Sequence, residues 1–196
     1  SKQKKRSMTI AKNLKALKTS LPEEVILVAV SKTKSNEAIM EAYATGQRVF
    51  GENKVQEMVQ KHETLPKDIE WHMIGHLQRN KVKYMASFVH LIHGVDTEKL
   101  LVEINKQAAK HQRSIPCLLQ VHIAEESTKF GFAESELTDL IGRKDEFPNV
   151  EIKGLMGMAS FTDNTEQVQQ EFRGLKKLFD QFFKKTDTAV LSMGMS

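Results

Sequence analysis

The chain of 196 residues is long enough for one large hydrophobic core and too short for two comfortable domains. Its 40% hydrophobic and 28% charged residues are typical of an ordinary globular protein. No apolar run approaches the ~20 residues that a membrane span requires, and no signal peptide with a small-residue cleavage site is present. We therefore expect a cytoplasmic protein that makes no contact with a membrane.

The formal net charge of +4 is confined to the N-terminus. The first six residues contain four basic and no acidic side chains, which is the whole surplus of 29 Lys and Arg over 25 Asp and Glu. We predict that residues 1–7 are a disordered basic tail and that residues 8–196 form a single domain. Because no basic stripe with interleaved aromatic residues follows, nucleic-acid binding is not expected.

The sequence predicts no metal site. Cys117 is the only cysteine, which excludes disulfides and thiolate metal sites, and we interpret it as a small buried apolar residue. His72 and His76 are four positions apart, but they fall on a strand and the loop after it rather than on one helix face. We interpret His72 as a histidine of the barrel interior or rim.

The uninterrupted apolar run at residues 25–30 predicts a strand buried on both faces, as in a parallel sheet covered by helices. Lys32 follows at the carboxyl end of this strand, where α/β folds bind their ligands. Loss of hydration at an apolar barrel mouth would disfavour the ammonium form of Lys32 and make its amine a nucleophile toward an aldehyde. A solvated lysine after a strand is the common alternative.

Strand-like and helix-like segments alternate along the rest of the chain at intervals of roughly thirty residues, which is the rhythm of βαβ units. An amphipathic helix is predicted before the first strand, from Ile10 to Leu21. The further strands are predicted at residues 48–51, 70–75, 89–95, 116–123, 150–156 and from 189 onward. The helices between them are predicted at residues 36–45, 52–62, 80–87, from 96 or 97 onward, 135–142 and 165–184.

This alternation favours a (β/α)8 TIM-type barrel. A dinucleotide-binding fold is unsupported, because no glycine-rich phosphate loop follows any strand. The pattern contains seven strands where a barrel needs eight, so either the last strand and helix are missing from this sequence or the sheet is open. We favour the missing strand and helix, because no cap follows the seventh strand.

Six segments near the strand ends are rich in small, polar and amide residues: 31–34, 50–57, 71–81, 126–132, 154–158 and 191–196. Together they resemble the pyridoxal phosphate (PLP) homeostasis proteins, small PLP-binding proteins whose single barrel is similar to the N-terminal domain of alanine racemase. The resemblance covers residues 8–196 in the same order. It implies a barrel like that of the fold type III PLP proteins and pyridoxal 5'-phosphate as the cofactor.

The resemblance also implies the residues of a cofactor site. Lys32 matches the lysine that forms the internal aldimine with PLP, and Asn53 matches an asparagine near the cofactor ring. Ser192, Gly194 and Ser196 match a loop that holds one side of the phosphate. The sequence agrees on this last point, because barrels commonly bind phosphate in the loops after strands seven and eight. The family continues into a strand that completes the phosphate site, so its absence here predicts weaker binding.

Two functions follow from the resemblance. The first is a PLP-binding protein of vitamin B6 homeostasis without catalytic residues. Its candidate partners are PLP-dependent apo-enzymes, and it is expected to be a monomer or weak dimer. The alternative is a PLP-dependent racemase, which needs a second acid or base that a tyrosine of an additional domain supplies in the resembling enzymes. Tyr43 and Tyr84, the only tyrosines here, fall in predicted helices, which favours the first function.

Overall fold

The computed structural model of this chain describes residues 10–16, 19, 26–123, 130–183 and 188–195. Seven strands run through these residues: β1 Ala29–Val30, β2 Val49–Glu52, β3 Glu70–Met73, β4 Leu91–Val95, β5 Ile115–Val121, β6 Val150–Ala159 and β7 Val190–Met195. The helices between them are α1 Asn36–Ala44, α2 Val55–Thr64, α3 Val82–Met85, α4 Glu98–Lys110, α5 Glu134–Gly142 and α6 Thr165–Phe182. None of the described helices is both long and apolar enough to cross a membrane.

The seven strands form one parallel sheet in sequence order, from β1 at one edge to β7 at the other. The sheet curls around an open cavity, and it therefore forms part of a barrel. This architecture confirms the predicted α/β barrel class and the count of seven strands. The carboxyl ends of all seven strands lie at the same end of the sheet, and Lys32 and Asn53 follow two of these ends.

The first strand differs from its prediction. Instead of being buried on both faces, Ile26 is 70% and Val30 53% exposed, and the strand proper is only Ala29–Val30. The reason is that β1 has a neighbour on one side only, while Ile26, Val28 and Val30 line the open cavity. An apolar run can indicate a strand, but it cannot distinguish a central strand from one at the edge.

The structure describes only part of the N-terminal segment for which predictions were made. Residues 10–16 are helical, and Ile10 and Leu14 pack against the core, which confirms the amphipathic helix over that range. The other two inward residues of the prediction, Leu17 and Leu21, lie outside the described residues, and so does the predicted basic tail over residues 1–7.

The main core lies between the helices and the strands, and it includes Ile39, Met58, Leu101, Ile104 and Leu175 from the helices. Cys117 is fully buried in it, as predicted, and burial raises the pKa of its thiol. A second, much smaller cluster of Leu91, Leu118 and Met156 packs apart from the first one. Leu91 and Met156 also line the cavity, so apolar side chains form part of the inner face of the barrel as well.

Helix starts follow local capping chemistry. The Ser35 hydroxyl accepts a hydrogen bond from the Ala38 N–H, and the Thr97 hydroxyl accepts one from the Leu100 N–H. Thr97 is therefore the cap of α4, which decides between the two predicted caps at positions 96 and 97.

The start of α2 was predicted too early, because Glu52 belongs to β2 and the helix begins at Val55.

A buried ion cluster explains why Glu52 stays in the strand. The ammonium group of Lys61 on α2 donates to Glu52 Oε1 at 2.5 Å, to Glu57 Oε1 at 2.8 Å and to the Ser31 carbonyl at 2.7 Å. The side chain of Lys61 is 6% exposed and that of Glu52 is 0% exposed. Burial raises the pKa of Glu52, although hydrogen bonds from Lys61 and Ser31 oppose the shift. The cluster joins α2 to the ends of β1 and β2.

We expect Lys61→Met to lower the free energy of unfolding by about 3–5 kcal/mol, because the Glu52 carboxylate would be left buried without its cation. Chemical denaturation measures this loss, and adding Glu52→Gln should recover part of it. Lys176→Met is the matched control, since Lys176 pairs with Asp180 on the exposed surface of α6 and should cost less than about 1 kcal/mol. Equal stability of the two lysine variants would contradict a structural role for the cluster.

Candidate functional site

The inner face of the curled sheet encloses one large open cavity of about 1250 Å³. Four of the five predicted site residues line it: Lys32, Asn53, Ser192 and Gly194. The fifth, Ser196, lies outside the described residues. The cavity thus brings together site residues from the first strand region and the seventh strand, at opposite edges of the sheet.

Lys32 stands on a tight turn after β1. The Ser31 N–H donates to the Gly51 carbonyl at 3.0 Å, and the Lys34 N–H donates back to the Ser31 carbonyl at 3.0 Å. Thr33 has a φ of 59°, a left-handed conformation that is uncommon for a threonine, and its N–H donates to Glu57 Oε1 at 2.5 Å. The turn is therefore held by contacts with β2 and α2.

The side chain of Lys32 is exposed at the cavity. The predicted loss of hydration is wrong, because β1 is an edge strand and the turn after it is open to solvent. Whatever reactivity the Lys32 amine has must come from its position rather than from burial.

Asn53 follows β2 and is held by a close approach of the chain after β3. A Cβ atom added at Gly75 would lie 2.6 Å from the Asn53 carbonyl oxygen, so only glycine allows this approach. The Ile74 N–H also donates to the Glu52 carbonyl at 2.9 Å, which continues the pairing of β2 and β3 up to Asn53. These contacts fix the backbone of Asn53 beside the cavity.

Ser192 and Gly194 lie within strand β7 rather than in a loop after it. They pair with Met156 and Met158 of β6, and this pairing extends the strand to Met195. The hydroxyl oxygen of Ser192 is 2.8 Å from His93 Nδ1. The loop predicted at residues 192–196 is therefore a strand as far as the structure describes it.

Two buried histidines connect Ser192 to the interior of the barrel. His72 Nδ1 lies 2.9 Å from His93 Nε2, and His93 Nδ1 reaches Ser192 Oγ. Burial lowers the pKa of His93 to about 4. Burial is the main cause that lowers the pKa of His72 to about 3, and electrostatic repulsion from the neighbouring His93, His90 and Lys153 adds to the shift. Both rings are therefore neutral at pH 7, and each has one donor and one acceptor nitrogen.

The interpretation of His72 as an interior histidine is confirmed, because this residue is 7% exposed. His93 was not predicted as a site residue. The two-residue period of a strand is a signal that could have indicated it, because this period places His93 on the same face as Leu91. Glu52 and Lys61 were missed too, since nothing in a sequence signals that a lysine on a helix pairs with a buried carboxylate.

Further titratable groups line the cavity near both ends of the strands. His76 follows β3, and its Nδ1 lies 3.5 Å from Asp96 Oδ2. Burial raises the pKa of Asp96, while the charge of His76 opposes the shift. Glu70 and His90 lie at the starts of β3 and β4, and their side chains are about half exposed.

Three comparisons relate this chain to known proteins. A model of the alanine racemase N-terminal domain matches residues 7–196. A pyridoxal phosphate homeostasis protein of Aquifex aeolicus is 42% identical over 173 residues, which cover 87% of this chain and 76% of that protein.

Solved structures agree with the sequence comparisons. The structure of PipY from Synechococcus elongatus with PLP bound has a TM-score of 0.82 at 29% identity, covering 95% of this chain and 97% of that one. An alanine racemase of Bartonella henselae has a TM-score of 0.70, covering 96% of this chain and 60% of that one, but at 16% identity it shows a common fold alone. The chain thus belongs to the alanine racemase N-terminal domain family, together with the pyridoxal phosphate homeostasis proteins.

Proposed function

We propose that this chain binds pyridoxal 5'-phosphate in its barrel cavity and serves the homeostasis of the intracellular PLP pool rather than a dedicated reaction. The observation that carries the proposal is the meeting of Lys32, Asn53, Ser192 and Gly194 at one cavity. The name of the Aquifex aeolicus relative and the PipY structure with PLP bound support it. The proposed location is the cytoplasm.

The residues at the cavity fit a flat, phosphorylated aldehyde. Lys32 offers an exposed primary amine to attach the aldehyde, and Asn53 offers an amide that can both donate and accept hydrogen bonds. Ser192 offers a hydroxyl, and Gly194 has no side chain to keep a phosphate away from the backbone. PLP, when bound, supplies a reactive carbonyl and an electron-withdrawing ring, while the chain supplies their orientation.

The neutral histidine pair supports the assignment of Ser192 to the phosphate end. If His93 carries its proton on Nδ1, that N–H donates to Ser192 Oγ, and the hydrogen of the Ser192 hydroxyl remains available to donate to an anion. His93 Nε2 then accepts from the Nδ1–H of His72. The two rings thus orient the hydroxyl group without adding a net charge to the cavity.

A racemase function is less well supported, because no tyrosine among the described residues lines the cavity. Tyr43 on α1 donates to Asp68, and Tyr84 on α3 is 54% exposed. His76 is the side chain on the Lys32 side of the cavity that could act as a second acid or base, but it is 57% exposed beside Asp96. Without a well-placed second base, a lysine-bound cofactor can exchange amines but lacks controlled proton transfer.

An open cavity with an exposed lysine also suits release of the cofactor. We propose PLP-dependent apo-enzymes as the recipients and a monomer or weak dimer as the working form. No contact with nucleic acid or a membrane is part of this proposal.

We expect Lys32→Ala to abolish covalent labelling of the chain by PLP and borohydride, because the amine that attaches the aldehyde would be gone. The measurement is the visible absorbance before reduction and peptide mapping by mass spectrometry after it. Stability should change by less than about 0.5 kcal/mol, since Lys32 is exposed. Lys34→Ala, two residues further on and also exposed, is the control and should label normally. Full labelling of Lys32→Ala at another lysine would contradict the proposal that PLP is attached to Lys32.

We expect Ser192→Ala to weaken PLP binding about tenfold to a hundredfold, because one hydrogen bond to a charged group contributes about 1.5–3 kcal/mol. Pyridoxal, which has no phosphate, should bind the variant and the parent chain equally. The exposed Ser87→Ala serves as a matched control for PLP. If the variant loses affinity for both ligands alike, Ser192 does not contact the phosphate.

We expect no racemisation of alanine or serine above ~1 per second by the PLP-loaded chain, because a second base is lacking. Circular dichroism of the amino acid over time measures this rate, with an alanine racemase as the positive control. A faster rate that disappears in Lys32→Ala would establish the racemase alternative, and His76→Ala would then test the base.

A further inference from the structure

Three potential metal ligands meet near the amino-terminal ends of β3 and β4. Glu70 and His72 are two residues apart on β3 and so point to the same face of the sheet, and both line the cavity. His90 precedes β4, and its N–H donates to the Trp71 carbonyl at 2.8 Å, which holds it beside β3. One ligand atom of each residue lies within 4.8 Å of the other two. We call these three residues the Glu70 cluster.

We propose that the Glu70 cluster binds a divalent transition-metal ion of the zinc class. Two imidazoles and one carboxylate form a ligand set that suits zinc, and three protein ligands leave a fourth position for water or a small molecule. Calcium and magnesium are disfavoured, because these ions prefer sites made of oxygen ligands. The proposal does not depend on PLP, since Lys32 and Asn53 follow the opposite, carboxyl-terminal ends of β1 and β2.

The two half-exposed ligands lie within reach of one shared ion. Glu70 Oε2 and His90 Nε2 are 3.6 Å apart, whereas two ligand atoms of a tetrahedral zinc ion at its usual bond lengths are ~3.4 Å apart. A direct hydrogen bond between them would need a shorter distance. The rings of His72 and His90 are within 13° of parallel, with centroids 5.6 Å apart. A shared ion therefore requires the exposed His90 ring to turn, while His72 stays in place.

His72 already has the outer partner that a metal-bound histidine needs. Its Nδ1 faces His93 Nε2 at 2.9 Å, which leaves Nε2 for the ion. Metal-bound histidines usually donate their second ring N–H to such a partner, which fixes the ring and its tautomer. His93 is held in turn by Ser192 Oγ at 2.8 Å. His93 thus lies outside the Glu70 cluster and acts as a positioning residue for His72 rather than as a ligand.

The competing explanation is a plain ion pair between Glu70 and a protonated His90. Lys153 bears on the choice, because it lines the same cavity and its positive charge repels a cation. Removing that charge should raise the affinity for the metal ion. If Glu70 and His90 form only an ion pair, there is no metal site and the substitution changes no metal affinity. Lys153→Met therefore separates the two explanations.

The test uses the full chain, expressed without a histidine tag and freed of metal with a chelator. Zn²⁺ is titrated in competition with a chromophoric chelator, and Co²⁺ is added separately to observe its visible spectrum. We expect one ion per chain and the intense visible bands of tetrahedral Co²⁺. Glu70→Gln and His90→Ala should each weaken Zn²⁺ binding at least about tenfold without loss of stability, because both side chains are half exposed.

Three further variants complete the experiment. His93→Ala should weaken Zn²⁺ binding about tenfold to a hundredfold, as loss of an outer partner does. Lys153→Met should tighten it, and His111→Ala, an exposed histidine at the end of α4, should leave it unchanged. Absence of a stoichiometric ion, or equal affinity in all variants, would overturn the proposal. Normal PLP labelling of Lys32 in Glu70→Gln would show that such a failure concerns the metal site alone.

Discussion

The buried ammonium of Lys61 is the constraint on which the geometry of the candidate site depends. It contacts two carboxylates and the Ser31 carbonyl, so one side chain of α2 fixes the ends of both β1 and β2. Glu57 also accepts the N–H of Thr33, directly after Lys32. β1 has only two strand residues and a single neighbour, so it could not hold this turn alone. The exposed lysine therefore owes its position to a buried one.

The inner face of the barrel explains how the chain can hold a polar cofactor. The main core lies between helices and strands, whereas the inner face places His72, His93 and Ser192 among apolar side chains that line the cavity. Burial keeps both histidines neutral at pH 7, so they orient the Ser192 hydroxyl without adding a net charge to the cavity. The cavity thus combines an amine at one end, neutral hydrogen-bonding groups inside and the Glu70 cluster at the other end.

Racemases and PLP homeostasis proteins show how one fold can support different functions. At 16% identity the alanine racemase of Bartonella henselae has the same barrel, but the fold does not supply a second base opposite the lysine. In this chain both tyrosines lie on helices outside the cavity. The common barrel therefore does not by itself decide between binding and catalysis, which depend on the side chains placed around the cavity.

The sequence by itself determined the alternation of strands and helices, the class of the fold and the position of Lys32 after the first strand, because these depend on local periodicity and on strand order. It also indicated Asn53, Ser192 and Gly194 through a family resemblance, and the structure brings all three to one cavity with Lys32.

Only the tertiary structure decided that β1 is an exposed edge and that Ser192 lies in a strand, because both facts depend on which strands pair. It also showed the buried ion cluster of Lys61 with Glu52 and Glu57, the His72–His93 contact and the Glu70 cluster. Each of these joins residues of different elements, and no local pattern in the chain records such distances.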